Sequence, residues 1–407
     1  MKILTINSGS TSIKFKLLEM PLEKLVAEGR VENIGLASSA ISFSTESYDE
    51  KNTVCSASDH HEGFRLIINR LTDPHSGVIK DAGEIKAVGH RVVNVGDRVL
   101  SYSVINGEIL GFIRECIELA PLHNPPNLAG IEVCMEIFPQ TPNIAIFDNL
   151  FHKDMPEKAY IYGLPYEYYE KYRLRKYGFH GIAYTYMIKR LSELLKKDPG
   201  LLRIIAVMLG GGSSITAVRF GRSVDTSMGF TPAEGLIMST RCGDIDPASI
   251  PYLMKKENLN ISEIDDVINK KSGILGISGK YSNFRQLEAG YLEGDRDCVR
   301  AFDSYIYRIR KYIGAYCAAM NGLDTIVFGG GIGENSFVAR RSMLADMDFF
   351  GIKIDEEKNR NLRGEGVISA ADSRVSLLVV NLNEELVIAR ETYSLAADFY
   401  QRNPLDL

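Results

Sequence analysis

The sequence predicts an α/β protein built from two related halves, and three observations carry that expectation. A short apolar strand, Lys2 to Ile6, runs into the polar tip Asn7-Ser8-Gly9-Ser10-Thr11-Ser12 and returns as the alternating strand Ile13 to Leu18, a hairpin pattern. Far downstream the pattern recurs: the run Ile204 to Met208, the tip Gly210-Gly211-Gly212-Ser213-Ser214, and the return Ile215 to Phe220, with Ser12-Ile13 aligning on Ser214-Ile215. A third strand, Thr325 to Phe328, also ends in glycines, Gly329-Gly330-Gly331-Ile332-Gly333.

Helical spacing of apolar residues falls between these strands, at Gly63 to Leu71, Ile109 to Leu119, Met187 to Lys197, Asp297 to Met320 and Glu384 to Phe399. Strands alternating with helices argue for α/β architecture. A strand at Asn143 to Phe147 closes the first half. The expected domains are therefore residues 1–150 and 151–384, with the last helix, 385–407, packing back on the first. Tyr160 to Tyr177, dense in Tyr and charge, reads as a connector.

Composition narrows the function classes. The chain has 407 residues, 45% of them apolar and 24% charged, which suits an ordinary globular core. Its formal net charge of -5 gives no basic field for nucleic acid or an anionic membrane, so neither is expected as a partner. An anionic substrate would need local positive groups. The six cysteines form no C-x-x-C pair and no zinc-spaced cluster, so they read as free thiols in a reducing cytosol. The first ten residues lack the apolar stretch of a signal peptide, and no transmembrane-length segment is present; the expected location is cytoplasmic.

Several segments could carry chemistry. Glycine loops let backbone N–H groups approach a phosphate without a Cβ in the way, and three in one chain point towards a nucleotide. There is no complete P-loop or G-x-G-x-x-G motif, and a tight turn explains any one loop alone. Asp148 ends a buried strand, where ligands of open α/β sheets sit; it could hold a metal, manage a proton, or simply cap a helix. Arg91, in Gly89-His90-Arg91-Val92-Val93, and Arg241, in a loop rich in Gly and Asp, could neutralise a carboxylate and a phosphoryl group by bidentate hydrogen bonds, or form ordinary ion pairs. His180 lies in Tyr177-Gly178-Phe179-His180-Gly181, where its ring could face a ligand or serve structure.

Taken together, these blocks resemble the acetate kinase family. The matching blocks include Asn7 to Ser12, Gly89 to Val93, Pro121-Leu122-His123-Asn124-Pro125-Pro126-Asn127, Phe147-Asp148 with Phe151-His152, and Tyr177 to Gly181. They continue with Ser223 to Pro232, Gly243-Asp244-Ile245-Asp246-Pro247, Gly331 to Ser336, and Asn383-Glu384-Glu385-Leu386. The resemblance runs nearly the whole length. It implies the duplicated ribonuclease H-like, actin-like ATPase fold in two domains, a homodimer, and transfer of the ATP γ-phosphoryl group to acetate with Mg²⁺, or Mn²⁺, as cofactor.

By this resemblance Asn7 and Glu384 help hold the metal, and Asp148 is an active-site carboxylate that orients it. Arg91 and Arg241 bracket the substrate carboxylate and the phosphoryl group, which His180 stabilises. Lys14, the loop Met208-Leu209-Gly210-Gly211-Gly212, Asn283-Phe284-Arg285, and Gly331-Ile332-Gly333-Glu334-Asn335 correspond to contacts with ATP or ADP. Val93, Leu122, Phe179 and Pro232 match a small apolar substrate pocket, and closure of the two domains would exclude water from the reaction.

The chain departs from the family pattern at identifiable places. Asn94-Val95-Gly96 replaces a His-Gly-Gly continuation, Met208 a histidine, Gly211 an asparagine, Ile182-Ala183-Tyr184 a Thr-Ser-His, Asn283 an aspartate and Cys242 a serine. These changes read as drift at secondary positions or as altered use of the phosphoryl donor, and three alternatives stand beside an acetate kinase. One is a propionate or butyrate kinase. Another is a kinase using GTP or pyrophosphate. The third is a non-catalytic nucleotide-binding protein of the same fold.

Overall fold

Apolar or alternating runs separated by Gly, Asn and Ser set out the first sheet, except at its outer edge, where Asp49–Cys55 is polar and mostly exposed. The computed structural model describes residues 1–121 and 123–403. The chain divides into two units, Met1–Leu150 with Asn383–Leu407, and Phe151–Leu382.

In the first unit, five strands form an antiparallel meander: β1 (Lys2–Gly9), β2 (Ser12–Glu19), β3 (Lys24–Glu32), β4 (Ser39–Thr45) and β5 (Asp49–Cys55). Then β6 (Ile85–Val92) lies parallel to β1, the short β7 (Ser103–Val104) makes an edge, and β8 (Asn143–Phe147) runs parallel to β6. The order is β5-β4-β3-β2-β1-β6-β8-β7. All of β8 is buried, as expected for a parallel strand covered on both faces. One face carries the core of Leu4, Ile6, Phe15, Phe64, Ile67 and Val133. Val88 points into that core, so its neighbour Gly89 points to the other face, beneath the helix Glu384–Arg402. A Cβ on Gly89 would overlap Thr392 and lie 2.8 Å from Ile388 Cγ2. The absent side chain lets the last helix reach the sheet.

The second unit repeats the plan. A meander of β9 (Arg203–Leu209), β10 (Ser213–Arg219) and β11 (Arg222–Thr226) is followed by β12 (Thr325–Gly329), the short β13 (Gly366–Val367) and β14 (Ser376–Val379). The order is β11-β10-β9-β12-β14-β13, with β9, β12 and β14 parallel. Its core joins Ile205, Val207, Phe328 and Leu377 to the long helix Arg296–Met320 through Phe302 and Ile309. Both sheets thus contain a three-stranded meander whose first strand is followed by two parallel neighbours, the duplicated ribonuclease H-like plan.

Local boundaries differ from the sequence reading where side-chain chemistry extended an element. Asn7, Ser8, Gly9 and Ser12 belong to the strands, leaving only Ser10 and Thr11 to turn. The helix expected at Met187 starts at Gly181, because His180 with φ 59° supplies a left-handed entry. Tyr160 to Tyr177 contains a short helix, Glu167–Tyr172, and the helix Glu157–Tyr160 ends at its first residue. Among the described residues no helix is long and apolar enough to cross a membrane.

Two stability predictions follow from β6. Gly89→Val should cost about 1–3 kcal/mol through overpacking, with much of it recovered when Thr392→Ala is added, as read from denaturant midpoints of the single and double variants. His90 is 2% exposed with Nε2 2.8 Å from Asn143 Oδ1, and burial lowers its pKa from 6.5 to about 4. The unfolded chain therefore binds this proton first as pH falls. The contribution is intact above pH 6.5 and is lost between 6.5 and 4, about 3 kcal/mol in all. His90→Gln should flatten the dependence of thermal midpoint on pH in that window.

Candidate active site

Three neighbouring parallel strands of the first unit deliver polar residues to their carboxyl-terminal ends. Asn7 lies near the end of β1, Arg91 near the end of β6, and Asp148 directly after β8. Asp148 is 1% exposed, and its Oδ2 accepts a hydrogen bond from Arg91 Nη2 at 2.8 Å. Glu384, at the first turn of the helix Glu384–Arg402, brings Oε2 to 4.0 Å from Arg91 Nη1. Arg91 is thus flanked by two carboxylates, and its buried Nε has no hydrogen-bond partner. Burial lowers the Arg91 pKa, but Asp148 and Glu384 outweigh it and the net shift is upward. Burial and the charges of Asp148 and Glu385 push the Glu384 pKa up, against the pull of Arg91 and Lys14.

That surplus of negative charge bears on the metal. Among the described residues, no three His, Cys, Asp or Glu gather as ligands. Magnesium commonly takes one or two carboxylates and fills its octahedron with waters and substrate phosphates. An amide oxygen and a half-neutralised carboxylate pair suit that mode, so Asn7 and Glu384, with Asp148 beside them, fit a hard dication.

Asparagines not assigned any role by the sequence reading hold these strand ends. Asn127 donates to Ser8 O at 2.7 Å and accepts from the Val93 N–H at 3.2 Å, tying the end of β1 to the end of β6. Asn124 and Asn149 bond the backbone of Asn94, Val95 and Gly96. Asn94 itself accepts from Gly96 N–H at 2.9 Å, and Gly96 has φ 69°, so the altered segment here is a turn built on an asparagine. Asn124 and Asn127 are three apart on one helix and lie in the block Pro121 to Asn127 that carried the resemblance, but neither was given a role there. Val93 is buried at this end, and Leu122 lies outside the described residues. Lys14 pairs with Asn7 across the hairpin and projects from the exposed face of β2.

In the second unit a histidine, an arginine and a glycine loop come together. His180 Nδ1 is 2.8 Å from Ser214 Oγ, which also bonds the hydroxyl of Tyr184. Tyr184, one of the departures noted above, therefore buttresses the imidazole through Ser214. His180 Nε2 and Arg241 Nη1 both lie 3.5 Å from where a Cβ on Gly212 would stand, so ring, guanidinium and glycine loop converge. Arg241 donates weakly to Pro232 O at 3.4 Å and has no carboxylate partner among the described residues. Burial alone shifts its pKa, downward. A desolvated guanidinium without a carboxylate partner, beside an imidazole and open backbone, has the chemistry to receive an anion.

Beside this loop is a cavity of about 630 Å³ whose lining includes Gly210, Gly211, Asn283, Phe284, Arg285, Gly331, Ile332 and Asn335, residues expected to meet a nucleotide, together with Ser239, Ser282, Glu288 and Ser336, which the sequence reading did not single out. Other members of the expected set face elsewhere. Leu209 is fully buried in the core, and Met208 packs against the apolar cluster of Tyr184 and Met187. Gly333 is buried. Glu334 turns its carboxylate onto the N–H groups of Gly330 and Leu382, both at 3.0 Å. Asn283 caps the helix Phe284–Leu292 by accepting from Arg285 and Gln286 N–H, so its side-chain oxygen is already engaged. Phe179 is 2% exposed and Pro232 half-buried. Arg340, unassigned by sequence, is 2% exposed and donates to Gly333 O and Glu334 O, fixing the end of the glycine helix Gly330–Asn335.

Known proteins share both the sequence and the fold. The Acetokinase family profile matches residues 2–390. The acetate kinase of Thermotoga maritima is 50% identical over 396 residues, covering 96% of this chain and 98% of that protein. The crystal structure of Porphyromonas gingivalis acetate kinase superposes with a TM-score of 0.92 at 41% identity, covering 97% and 99% of the two chains. That of a propionate kinase from Francisella tularensis gives 0.90 at 36% identity with the same coverage. With a profile match from nearly end to end and relatives this similar over their full length, the chain belongs to the acetokinase family.

Proposed function

We propose that the chain is an acetate kinase, transferring the γ-phosphoryl group of ATP reversibly to acetate to give acetyl phosphate and ADP. The observation that carries this reading is the convergence of His180 Nε2 and Arg241 Nη1 on Gly212, an anion receptor next to a nucleotide-sized cavity. The names of the relatives at about 50% identity support it.

The chemistry asks for charge and position more than for acid–base work. Acetate is already ionised, so one of its oxygens attacks the γ-phosphorus in line and no general base is needed. Both reactants are anions. Arg241 and His180 offset charge on the phosphoryl group in flight, and Arg91 meets the acetate carboxylate. Asp148, locked to Arg91, orients the guanidinium. Mg²⁺ held by Asn7 and Glu384 would supply positive charge to the phosphate oxygens; Mn²⁺ suits the same donors. Gly210, Gly211, Gly331 and Ile332 present backbone to the nucleotide. Phe179 and Pro232 offer apolar surface to the acyl group. The same reading makes the enzyme a cytoplasmic homodimer.

A second reading, a propionate kinase, is favoured by the Francisella structure. One methylene in an apolar pocket is worth only about 10- to 200-fold in discrimination, so the two acids compete for one site.

Coupled assays with ATP and Mg²⁺ across acetate, propionate and butyrate should give the highest kcat/KM with acetate. No turnover of any short carboxylate, with nucleotide binding intact, would leave a binding protein instead. Asp148→Asn should lower kcat by about 10²–10³-fold while ATP still binds. Initial rates with ATP, GTP and pyrophosphate should favour ATP; a preference for either other donor would tie Met208 and Asn283 to altered donor use.

A further inference from the structure

The segment between Phe230 and Asp244 carries both Pro232 and Arg241, and it has little regular structure of its own. Two side-chain devices of the same design hold it. At its start, the Tyr162 hydroxyl accepts the Phe230 N–H at 2.7 Å and donates to Glu234 Oε2 in a short hydrogen bond. Lys176 Nζ backs that carboxylate, 3.4 Å from Oε1, while donating to Thr226 O at 2.9 Å. At its end, Tyr312 donates to Asp244 Oδ2 at 2.8 Å, and Asp244 Oδ1 accepts the Gly235 N–H at 2.8 Å. Arg308, one helical turn before Tyr312 on the helix Arg296–Met320, backs this second pair. Its Nη1 lies 3.5 Å from Asp244 and donates to Gly235 O at 3.0 Å.

Each device is thus a phenol on a carboxylate, a cation behind it, and a backbone N–H of the segment held in the pair. Neither pair lies among the groups assigned to the reaction. Glycine at 229 is required for the first, because a Cβ there would overlap both Tyr162 and Glu234. Gly229 O in turn accepts the N–H groups of Tyr177 and Gly178, so the same turn touches the strip that leads to Phe179 and His180. Burial and the adjacent carboxylates raise both phenol pKa values, which keeps the hydroxyls as donors.

We propose that Tyr162–Glu234 and Tyr312–Asp244 are positioning pairs for phosphoryl transfer, the first setting the Pro232 wall and hence acyl-chain selectivity, the second setting Arg241. The division follows from chain distance. Pro232 lies between Phe230 and Glu234, the two residues Tyr162 holds. Arg241 lies three residues before Asp244 on a return bounded by Gly243, whose φ is 68°. The inference rests on the acetate kinase reading, so the parent enzyme is the first arm of its test.

Steady-state kinetics with acetate, propionate and ATP, beside thermal midpoints, should separate the pairs. Tyr162→Phe should raise KM for acetate about tenfold and reduce the acetate-to-propionate ratio of kcat/KM, with kcat and KM for ATP within about twofold. Tyr312→Phe should lower kcat about tenfold with KM for acetate within about twofold. Glu234→Gln keeps an oxygen acceptor for the phenol and should stay within about threefold of the parent in selectivity. An active parent whose Tyr162→Phe variant keeps both KM and the acid ratio overturns the proposal. So does a uniform fall of all constants with the midpoint, which would make the pairs merely structural. A parent inactive on both acids removes the acetate kinase reading first, and the positioning role with it.

Discussion

The ion pair between Arg91 and Asp148 is the constraint around which the first unit is arranged. A carboxylate as deeply buried as Asp148 is costly unless paired and hydrogen-bonded, and removing its partner would leave that cost exposed. The pair forms only if the ends of β6 and β8 stay in register, which the ladder Arg91 with Ile146 and Val92 with Phe147 ensures. Asn127 extends the register to β1, and the first turn of the last helix adds Glu384. Strand order, one asparagine and one helix start therefore bear on the position of a single guanidinium.

The second unit follows the opposite electrostatic rule. There Arg241 has no carboxylate partner among the described residues, and three acids near it or near the glycine loops in the chain are engaged by other groups. Glu234 is held by Tyr162 and Lys176, Asp244 by Tyr312 and Arg308, and Glu334 by two backbone amides. Each of these carboxylates lies within a few residues of a glycine loop or of Arg241, yet none is paired with that guanidinium. On the proposed reading, selectivity for an anion would rest as much on where the acids are engaged as on where the cations stand.

Much of this architecture was legible from the chain. Uninterrupted apolar runs marked β8, β9 and β12 because parallel strands are buried on both faces, and the repeated hairpin signalled two sheets of one plan. Arg91, Asp148, Arg241 and His180 could be named as candidates from strand ends and glycine context. Orientation could not be read. Sequence spacing does not say that Glu334 and Leu209 face inward while their neighbours line a cavity. Nor does it show that Asn127 joins two strands, since that bond spans residues far apart in sequence. The stretch Tyr160 to Tyr177 read as a connector because it is dense in Tyr and charge, and that density does not show that Tyr162 bonds through its hydroxyl to Glu234 and the Phe230 N–H.

The helix beneath which Gly89 lies has a consequence for biosynthesis. The first unit is discontinuous: its sheet is translated at the start, but the helix covering β6 is encoded only after Leu382. During synthesis the early sheet emerges with one apolar face uncovered, while the later unit, contiguous in sequence, has every strand and helix it needs before the last helix leaves the ribosome. The half made first is thus the half completed last, and a nascent chain must shield that face, or find a chaperone to do so, for the time it takes to translate the whole of its sibling.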